Sequence, residues 1–189
     1  MNTQRWKFLE GVFLSNAIAS ALGHSSTYAI KDEKGRETVR DALRSELCDL
    51  ARKYACKVVG ADAHVENIEE LARRVSARCG SSLKCNRLRF GVAQKALNLY
   101  LKFLWCAGRI QDTPPHCPFD STVIDTLRRN LREQNRLPSG WKNTWNKWTE
   151  VDDKDIYCEW VKAATIVAGN ESLAEWELRV WPTKGCETV

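Results

Sequence analysis

Two side chains of opposite charge form the pair in this sequence that could do covalent chemistry. Lys95 lies near the start of an almost wholly apolar stretch that predicts a buried helix over residues 90–106, and Asp120 lies where the next helix begins. Apolar surroundings favour the neutral, nucleophilic form of an amine, while a helix N-terminus favours an ionised carboxylate. Asp120 could then accept the proton of the amine, or stabilise positive charge that develops on a substrate.

The polar side chains of the central helix are predicted to fall on one side. Asn98 is three residues beyond Lys95, and Lys102 is seven residues beyond it, so all three project in roughly the same direction. Asn98 is therefore the candidate for a group that orients the amine. The plainer alternative is that Lys95 extends its ammonium to solvent and that Asp120 only caps its helix.

Two short motifs surround the candidate pair. Residues 91–98 read G-V-A-Q-K-A-L-N, and residues 118–123, after a proline-bearing loop, read P-F-D-S-T-V. Over residues 89–127 the chain resembles the helix-hairpin-helix DNA glycosylases, the superfamily of endonuclease III and 8-oxoguanine glycosylase. The departures are Arg89 and Phe90 in place of Leu-Pro, Ala93 in place of the second glycine, and a missing four-cysteine iron–sulfur loop, so no cofactor is implied.

The resemblance implies a DNA glycosylase or abasic-site lyase that acts through a lysine Schiff base. Lys95 would be its nucleophile, Asp120 its essential carboxylate, and Gly91 with Ala93 its phosphate-binding hairpin. The target nucleotide would be flipped out of the duplex into a pocket. Candidates for the walls of that pocket are Tyr100, Trp105 and the tryptophan stripe Trp141, Trp145 and Trp148.

Basic residues flank the central helix on both sides. The chain carries 29 basic and 24 acidic residues, a net charge of +5 that permits a polyanionic partner without demanding one. One basic cluster precedes the helix (Arg73, Arg74, Arg78, Lys84, Arg87 and Arg89), and a second follows it (Arg128, Arg129, Arg132 and Arg136). Two such clusters around one element suit the phosphate backbone of duplex DNA, although solvated helix faces would look the same. The candidates for DNA contacts are Arg87, Arg89, Gly91, Ala93, Arg128 and Arg129.

Apolar spacing predicts an all-α fold, a single compact domain over residues 1–189 with a helix-hairpin-helix-like centre over residues 66–135. Helices are predicted over about 4–22, 37–59, 64–78, 90–106 and 121–135, and another begins after Asp152 or Asp153. Residues 31–35 are predicted as a charged turn. Residues 172–181 fit a short helix or a strand. The tryptophan stripe predicts one face of a further helix, either packed in the core or stacked on bases.

The eight cysteines contain no C-x-x-C pair, which predicts free thiols in a cytoplasmic protein. A zinc site through Cys106, His116 and Cys117 is the alternative, but it lacks the usual ligand spacing and a fourth ligand, so no metal is expected. The N-terminal stretch fits an amphipathic helix better than a signal peptide. No stretch is long enough to span a membrane, and no membrane partner is expected.

A DNA glycosylase or abasic-site lyase is the leading hypothesis, and two other classes remain open. A non-catalytic helical protein could bind nucleic acid through the arginine clusters, with a steep salt dependence and no strand cleavage. An interaction protein could pack its tryptophan-rich C-terminal part on a partner or on its own copy. That homo-oligomer would be concentration-dependent and indifferent to DNA.

Overall fold

The computed structural model describes residues 3–23, 27–136 and 147–181. The prediction of an all-α fold is confirmed: apart from an isolated bridge between Tyr28 and Leu83, the described ranges contain no β-structure. The helices of these ranges are α1 (Thr3–Leu22), α2 (Glu33–Cys56), α3 (Ala61–Cys79), α4 (Phe90–Cys106), α5 (Ser121–Glu133), α6 (Lys154–Ala168) and α7 (Leu173–Val180).

Helix α4 lies at the centre of the fold. Residues 90–102 of this helix are all buried, as its apolar character on every face predicts. Helices α1, α2 and α3 pack against it, and so does the turn at residues 148–150. Between α1 and α4, the rings of Phe13 and Phe103 stack with their centroids 5.5 Å apart.

The last three helices pack on one another and are joined to α4 by aromatic contacts. Phe119, which precedes α5, lies edge-on to Tyr157 of α6, with the ring centroids 5.6 Å apart. Phe119 also approaches Trp160, and Phe90 of α4 lies 5.2 Å from the ring of Tyr157. Through these ring contacts the loop between α4 and α5 packs on α6, and α6 in turn packs on α4.

Side-chain caps decide where two of the helices begin. The carboxylate of Asp32 accepts hydrogen bonds from the backbone N–H groups of Lys34 and Gly35, at 2.9 and 3.1 Å. Helix α2 therefore starts at Glu33, four residues earlier than predicted, and most of the predicted turn at residues 31–35 is its first turn. Asp153, rather than Asp152, accepts the capping bond of α6.

The open choice between helix and strand near residue 175 is decided by a capping box. Ser172 and Glu175 satisfy each other's backbone N–H groups, so residues 173–180 are helical. The other predicted helix ends lie within three residues of the observed ends. Helices α3 and α4 are joined through two 3-10 turns, Gly80–Ser82 and Lys84–Asn86. The helix-hairpin-helix character of this centre stays a prediction.

The segment at residues 148–152 covers the N-terminus of α4. The N–H of Gly91 donates to the carbonyl oxygen of Val151 at 2.8 Å, and the N–H of Phe90 donates to Asp152 Oδ1 at 3.3 Å. A Cβ atom on Gly91 would lie 1.8 Å from the carbonyl oxygen of Trp148. Glycine is therefore required here by the close approach of another backbone.

The tryptophan stripe can be compared with the structure only at its last member. Trp141 and Trp145 lie outside the described residues, whereas Trp148 is buried and begins a 3-10 turn rather than lying within an α-helix.

Within the described ranges, no helix has the length and apolar character needed to cross a membrane. The cysteines at 48, 56, 79, 85, 106, 117 and 158 are free thiols, as predicted, and Cys186 lies outside the described residues.

Candidate functional site

Four polar side chains interrupt the apolar surface of α4, and all four are buried. They are Gln94, Lys95, Asn98 and Lys102. Lys95 is 3% exposed, so the alternative in which its ammonium extends into solvent is wrong. A polar group in such a position is tolerated only when it is hydrogen-bonded or paired, and each of the four has a partner.

Gln94 and Asn98 hold the loop that precedes α5. The side-chain amide of Gln94 bonds both backbone groups of Phe119: its Nε2 donates to the carbonyl oxygen at 2.6 Å, and its Oε1 accepts from the N–H at 3.2 Å. One turn further along the helix, Asn98 Nδ2 donates to the carbonyl oxygen of Cys117 at 2.9 Å. These bonds fix the backbone at Cys117 and Phe119, the residues on either side of Pro118. They therefore determine the position of Asp120, which follows Phe119.

Lys95 and Asp120 are brought together as a buried ion pair. The ammonium of Lys95 donates to Asp120 Oδ2, while Asp120 Oδ1 accepts from the N–H of Val123 at 3.0 Å. Asp120 thus caps α5 and at the same time provides the counter-charge for Lys95. The carboxylate has one oxygen for each task, and its position is fixed by both helices.

This ion pair lies in the wall of a cleft with a volume of about 420 Å³. Such a volume is in the range of small-molecule sites, which run from roughly 300 to 1,000 Å³. The centroids of the Trp148 and Trp181 rings lie 6.0 and 5.8 Å from Lys95 Nζ. The other lining residues are Ser20, Leu99, Lys102, Phe103, Ser121 and Thr122, so the described lining contains neither Tyr100 nor Trp105.

A second buried ion pair, which the sequence reasoning did not find, adjoins the same cleft. Lys102 Nζ lies 2.5 Å from Glu177 Oε2 of α7 and 5.0 Å from the centroid of Trp181. Burial raises the pKa of Glu177, and the neighbouring Lys102 partly opposes that rise. The seven-residue spacing from Lys95 to Lys102 was the available signal, but nothing in the local sequence marks Glu177 as the partner.

Asn98 does not line the cleft but takes part in a buried polar network. Its Oδ1 pairs with His64 Nε2 at 2.7 Å, and its Nδ2 also donates to Tyr157 Oη at 3.1 Å. His64 Nδ1 pairs with Tyr54 Oη at 2.6 Å, and His116 Nδ1 pairs with Tyr157 Oη at 2.8 Å. Asn98 therefore acts on the pair of Lys95 and Asp120 through the loop, not by contact with the amine.

The two histidines of this network are held neutral. Burial lowers the pKa of His64 to about 4, although the bond to Asn98 opposes the shift. Burial lowers the pKa of His116 to about 3, and repulsion from His64 when that ring is protonated adds to the lowering. Their rings meet edge to face with the centroids 4.8 Å apart, and His116 Nε2 has no hydrogen-bond partner among the described residues.

The residues predicted to bind phosphate at the start of α4 are engaged within the protein. Gly91 and Ala93 are buried, and their N–H groups donate to the carbonyl oxygens of Val151 and Arg89. Arg89 itself donates to the carbonyl oxygen of Thr149 at 3.2 Å. Arg87 is exposed but forms an ion pair with Asp152. Their assignment to DNA contacts stays a prediction, and this packing does not favour it.

The two basic clusters differ in how far they are neutralised. Before α4, Arg73 pairs with Glu70, and Arg74 pairs with both Glu70 and Glu46. On α5, Arg128 lies 3.7 Å from Asp125 and is largely buried. The remaining arginines of that cluster are exposed and form no ion pair with a described residue: Arg129, Arg132 and Arg136. Of the predicted DNA contacts, Arg129 is thus the one on an open basic surface.

Within the described residues, no group of three or more histidine, cysteine and acidic side chains is arranged to hold a metal ion. His116 and Cys117 are buried in the loop, and Cys106 is exposed at the end of α4. Burial raises the pKa of the Cys117 thiol well above its usual range, which disfavours the thiolate that zinc requires.

Comparisons with protein-family models, with curated proteins and with solved structures found no match to this chain.

Proposed function

We propose that the protein is a DNA-repair enzyme, an abasic-site lyase or glycosylase, whose nucleophile is the amine of Lys95. The observation that carries the proposal is the contact between Lys95 and Asp120 in the wall of a cleft flanked by the rings of Trp148 and Trp181. An amine with its own proton acceptor, beside flat apolar walls, suits attack on the sugar of an extruded nucleotide.

Lys95 and Asp120 can together carry out every proton transfer that formation of the Schiff base requires. The Lys95 ammonium first passes a proton to Asp120, and the free amine then forms a bond to the aldehyde carbon of a ring-opened abasic sugar. A proton moves from the new ammonium nitrogen to the former carbonyl oxygen, which gives a carbinolamine. Asp120 returns its proton as the hydroxyl leaves as water, and the product is an iminium ion joining Lys95 to the sugar.

The charge on α5 supports duplex DNA as the partner. Arg129 and Arg132 are exposed on the helix whose N-terminus is capped by Asp120, and Arg136 follows the end of the helix. Lysines and arginines that neutralise phosphates dominate the affinity of proteins for duplex DNA. A DNA backbone bound along α5 would place a nucleotide near the cleft, because Ser121 and Thr122 at the start of α5 line the cleft.

Borohydride trapping on an abasic-site duplex tests the proposal. We expect the wild-type protein to form a covalent adduct with the DNA, and Lys95→Arg to form none, because a guanidinium retains the charge but cannot form a Schiff base. Lys162→Arg, at an exposed lysine of α6, should leave the adduct yield unchanged. Circular dichroism would establish that both variants are folded. A wild-type protein that binds the duplex without an adduct would contradict the amine mechanism.

A second candidate is a protein that binds nucleic acid without chemistry, and the exposed arginines of α5 favour it. Replacing Arg129, Arg132 or Arg136 by glutamine should then reduce the slope of log affinity against log salt by about 0.9 each. Arg73→Gln is the matched control, because Arg73 is already paired with Glu70. Salt-dependent binding with no trapped adduct would identify this second candidate.

A further inference from the structure

The second ion pair presents another ammonium group to the cleft. Lys102 lies two helical turns beyond Lys95, lines the cleft, and approaches the same indole ring, that of Trp181. Its partner Glu177 is fully buried and belongs to α7. Glu177 thus pairs with the ammonium of Lys102 from the protein side, while Lys102 also lines the cleft.

The charges of these groups cancel. Two ammonium groups, on Lys95 and Lys102, are matched by two carboxylates, on Asp120 and Glu177. A phosphate or another anion would therefore gain little net attraction from the cleft, unlike from the exposed arginines of α5. A flat neutral ring suits the cleft better, since its faces can lie against the indoles of Trp148 and Trp181.

The ammonium group of Lys102 determines which hydrogen bonds a ligand can form at this side of the cleft. An ammonium group carries three donors and no acceptor. A ligand with a carbonyl oxygen opposite Lys102 would accept one of these donors. The same ring with an amino group at that position would place a donor against a donor, and both would be left unpaired on burial. Such a mismatch is a strong means of rejecting a near-identical ligand.

We propose that Lys102 is a specificity-determining residue, which selects flat neutral heteroaromatic rings that carry a carbonyl oxygen over the same rings carrying an amino group. Glu177 is its positioning residue. The choice of nucleobases as the rings rests on the proposed function. In that setting the selected ligands are keto bases, and the rejected ones are their amino counterparts, in which the adjacent ring nitrogen also changes from a donor to an acceptor.

Equilibrium binding of matched nucleosides tests this selectivity. The pairs are deoxyinosine with deoxyadenosine, and deoxyuridine with deoxycytidine, each titrated against the full chain while tryptophan fluorescence is recorded. We expect the keto member of each pair to bind roughly tenfold more tightly, the value of one buried hydrogen-bonding mismatch. In the double variant Lys102→Met with Glu177→Gln, which removes both charges and strands neither, the preference should vanish.

Lys162→Met controls for the loss of an exposed lysine charge, and thermal melting checks that each variant is folded. Equal affinities within a pair, tighter binding of the amino member, or no measurable binding of either would overturn the inference. So would a keto preference that survives in the double variant. The measurement involves no Schiff base, so keto selectivity without a borohydride adduct would retain Lys102 as a selector while the lyase proposal fails.

Discussion

Gln94 of α4 and Phe119 of the following loop are joined by a pair of hydrogen bonds in which one side-chain amide satisfies both backbone groups of a residue 25 positions away. Both residues are completely buried. Because Phe119 immediately precedes Asp120, these two hydrogen bonds restrain the backbone that carries the carboxylate facing Lys95. The order of the candidate site therefore depends on a residue that does not line the cleft.

Replacing Gln94 by methionine should loosen this loop. The substitution keeps the length of the side chain but leaves two backbone groups of Phe119 buried without partners, which costs about 2–4 kcal/mol of the free energy of unfolding. Chemical denaturation would measure the loss, and hydrogen exchange at residues 116–120 would report the opening. Gln111→Met, at an exposed glutamine in the same loop, should have little effect on either. Equal stabilities for Gln94→Met and Gln111→Met would show that the hydrogen bonds between Gln94 and Phe119 do not stabilise the loop.

The buried ion pair of Lys95 and Asp120 should show strong coupling in a double-mutant cycle. Lys95→Met leaves Asp120 with an uncompensated charge in the interior, and we expect a loss of about 3 kcal/mol. Adding Asp120→Asn removes that charge while keeping an acceptor for the N–H of Val123, so the double variant should regain part of the loss. The exposed pair of Lys154 and Glu69 provides the matched comparison, and its cycle should show almost no coupling. Additive effects at Lys95 and Asp120 would contradict the buried contact.

Gly91→Ala should be far more damaging than an ordinary glycine replacement in a helix. The new methyl group would lie 1.8 Å from the carbonyl oxygen of Trp148, so the segment at 148–152 must move, at an expected cost of about 2–3 kcal/mol. Gly11 of α1 is the control, because it is exposed and a Cβ there meets nothing within 4 Å. Gly11→Ala should stabilise α1 by about 0.5–1 kcal/mol. Thermal melting distinguishes the two directions.

The buried histidines predict a loss of stability on mild acidification. The unfolded chain takes up protons near pH 6.5, whereas His64 and His116 in the folded protein do so only near their pKa values of about 4 and about 3. The free energy of unfolding should therefore be steady above pH 7 and fall between about pH 6.5 and 4, by about 2 kcal/mol per histidine at pH 5.

Denaturation series at pH 7 and pH 5 would measure this fall. His64→Gln removes one titrating group and should reduce the difference between the two pH values, even though the variant itself is less stable at pH 7 because its bonds to Tyr54 and Asn98 are altered. His116→Gln should act in the same direction. A wild-type stability that does not change between pH 7 and pH 5 would show that the histidines are not buried in neutral form.

The parts of the site that the sequence reveals are the local ones. The burial of α4 follows from apolar residues on every face, and the placement of Asp120 follows from its role as a helix cap. Those local features leave open whether Lys95 and Asp120 meet, and their pairing was a hypothesis that rested on the resemblance. Helix α2 starts earlier than its apolar spacing indicates, because the side chain of Asp32 caps it.

The parts that the sequence conceals depend on contacts between distant segments. Glu177 lies on α7 and Trp181 directly follows that helix, and no spacing rule connects either residue with Lys102. Gly91 reads as a residue of a phosphate-binding turn, yet the structure shows that it makes room for the carbonyl oxygen of Trp148. A glycine reports that a close approach is needed but not what approaches.

The covering of the α4 N-terminus by residues 148–152 makes the site a late product of synthesis. Lys95 emerges from the ribosome well before Trp148 and Trp181, so a nascent chain carries the Lys95 amine without the walls that enclose it. Contacts of such long sequence separation form after the local helices. A chain cut short before α7 would thus hold Lys95 and Asp120 but lack the Trp181 side of the cleft.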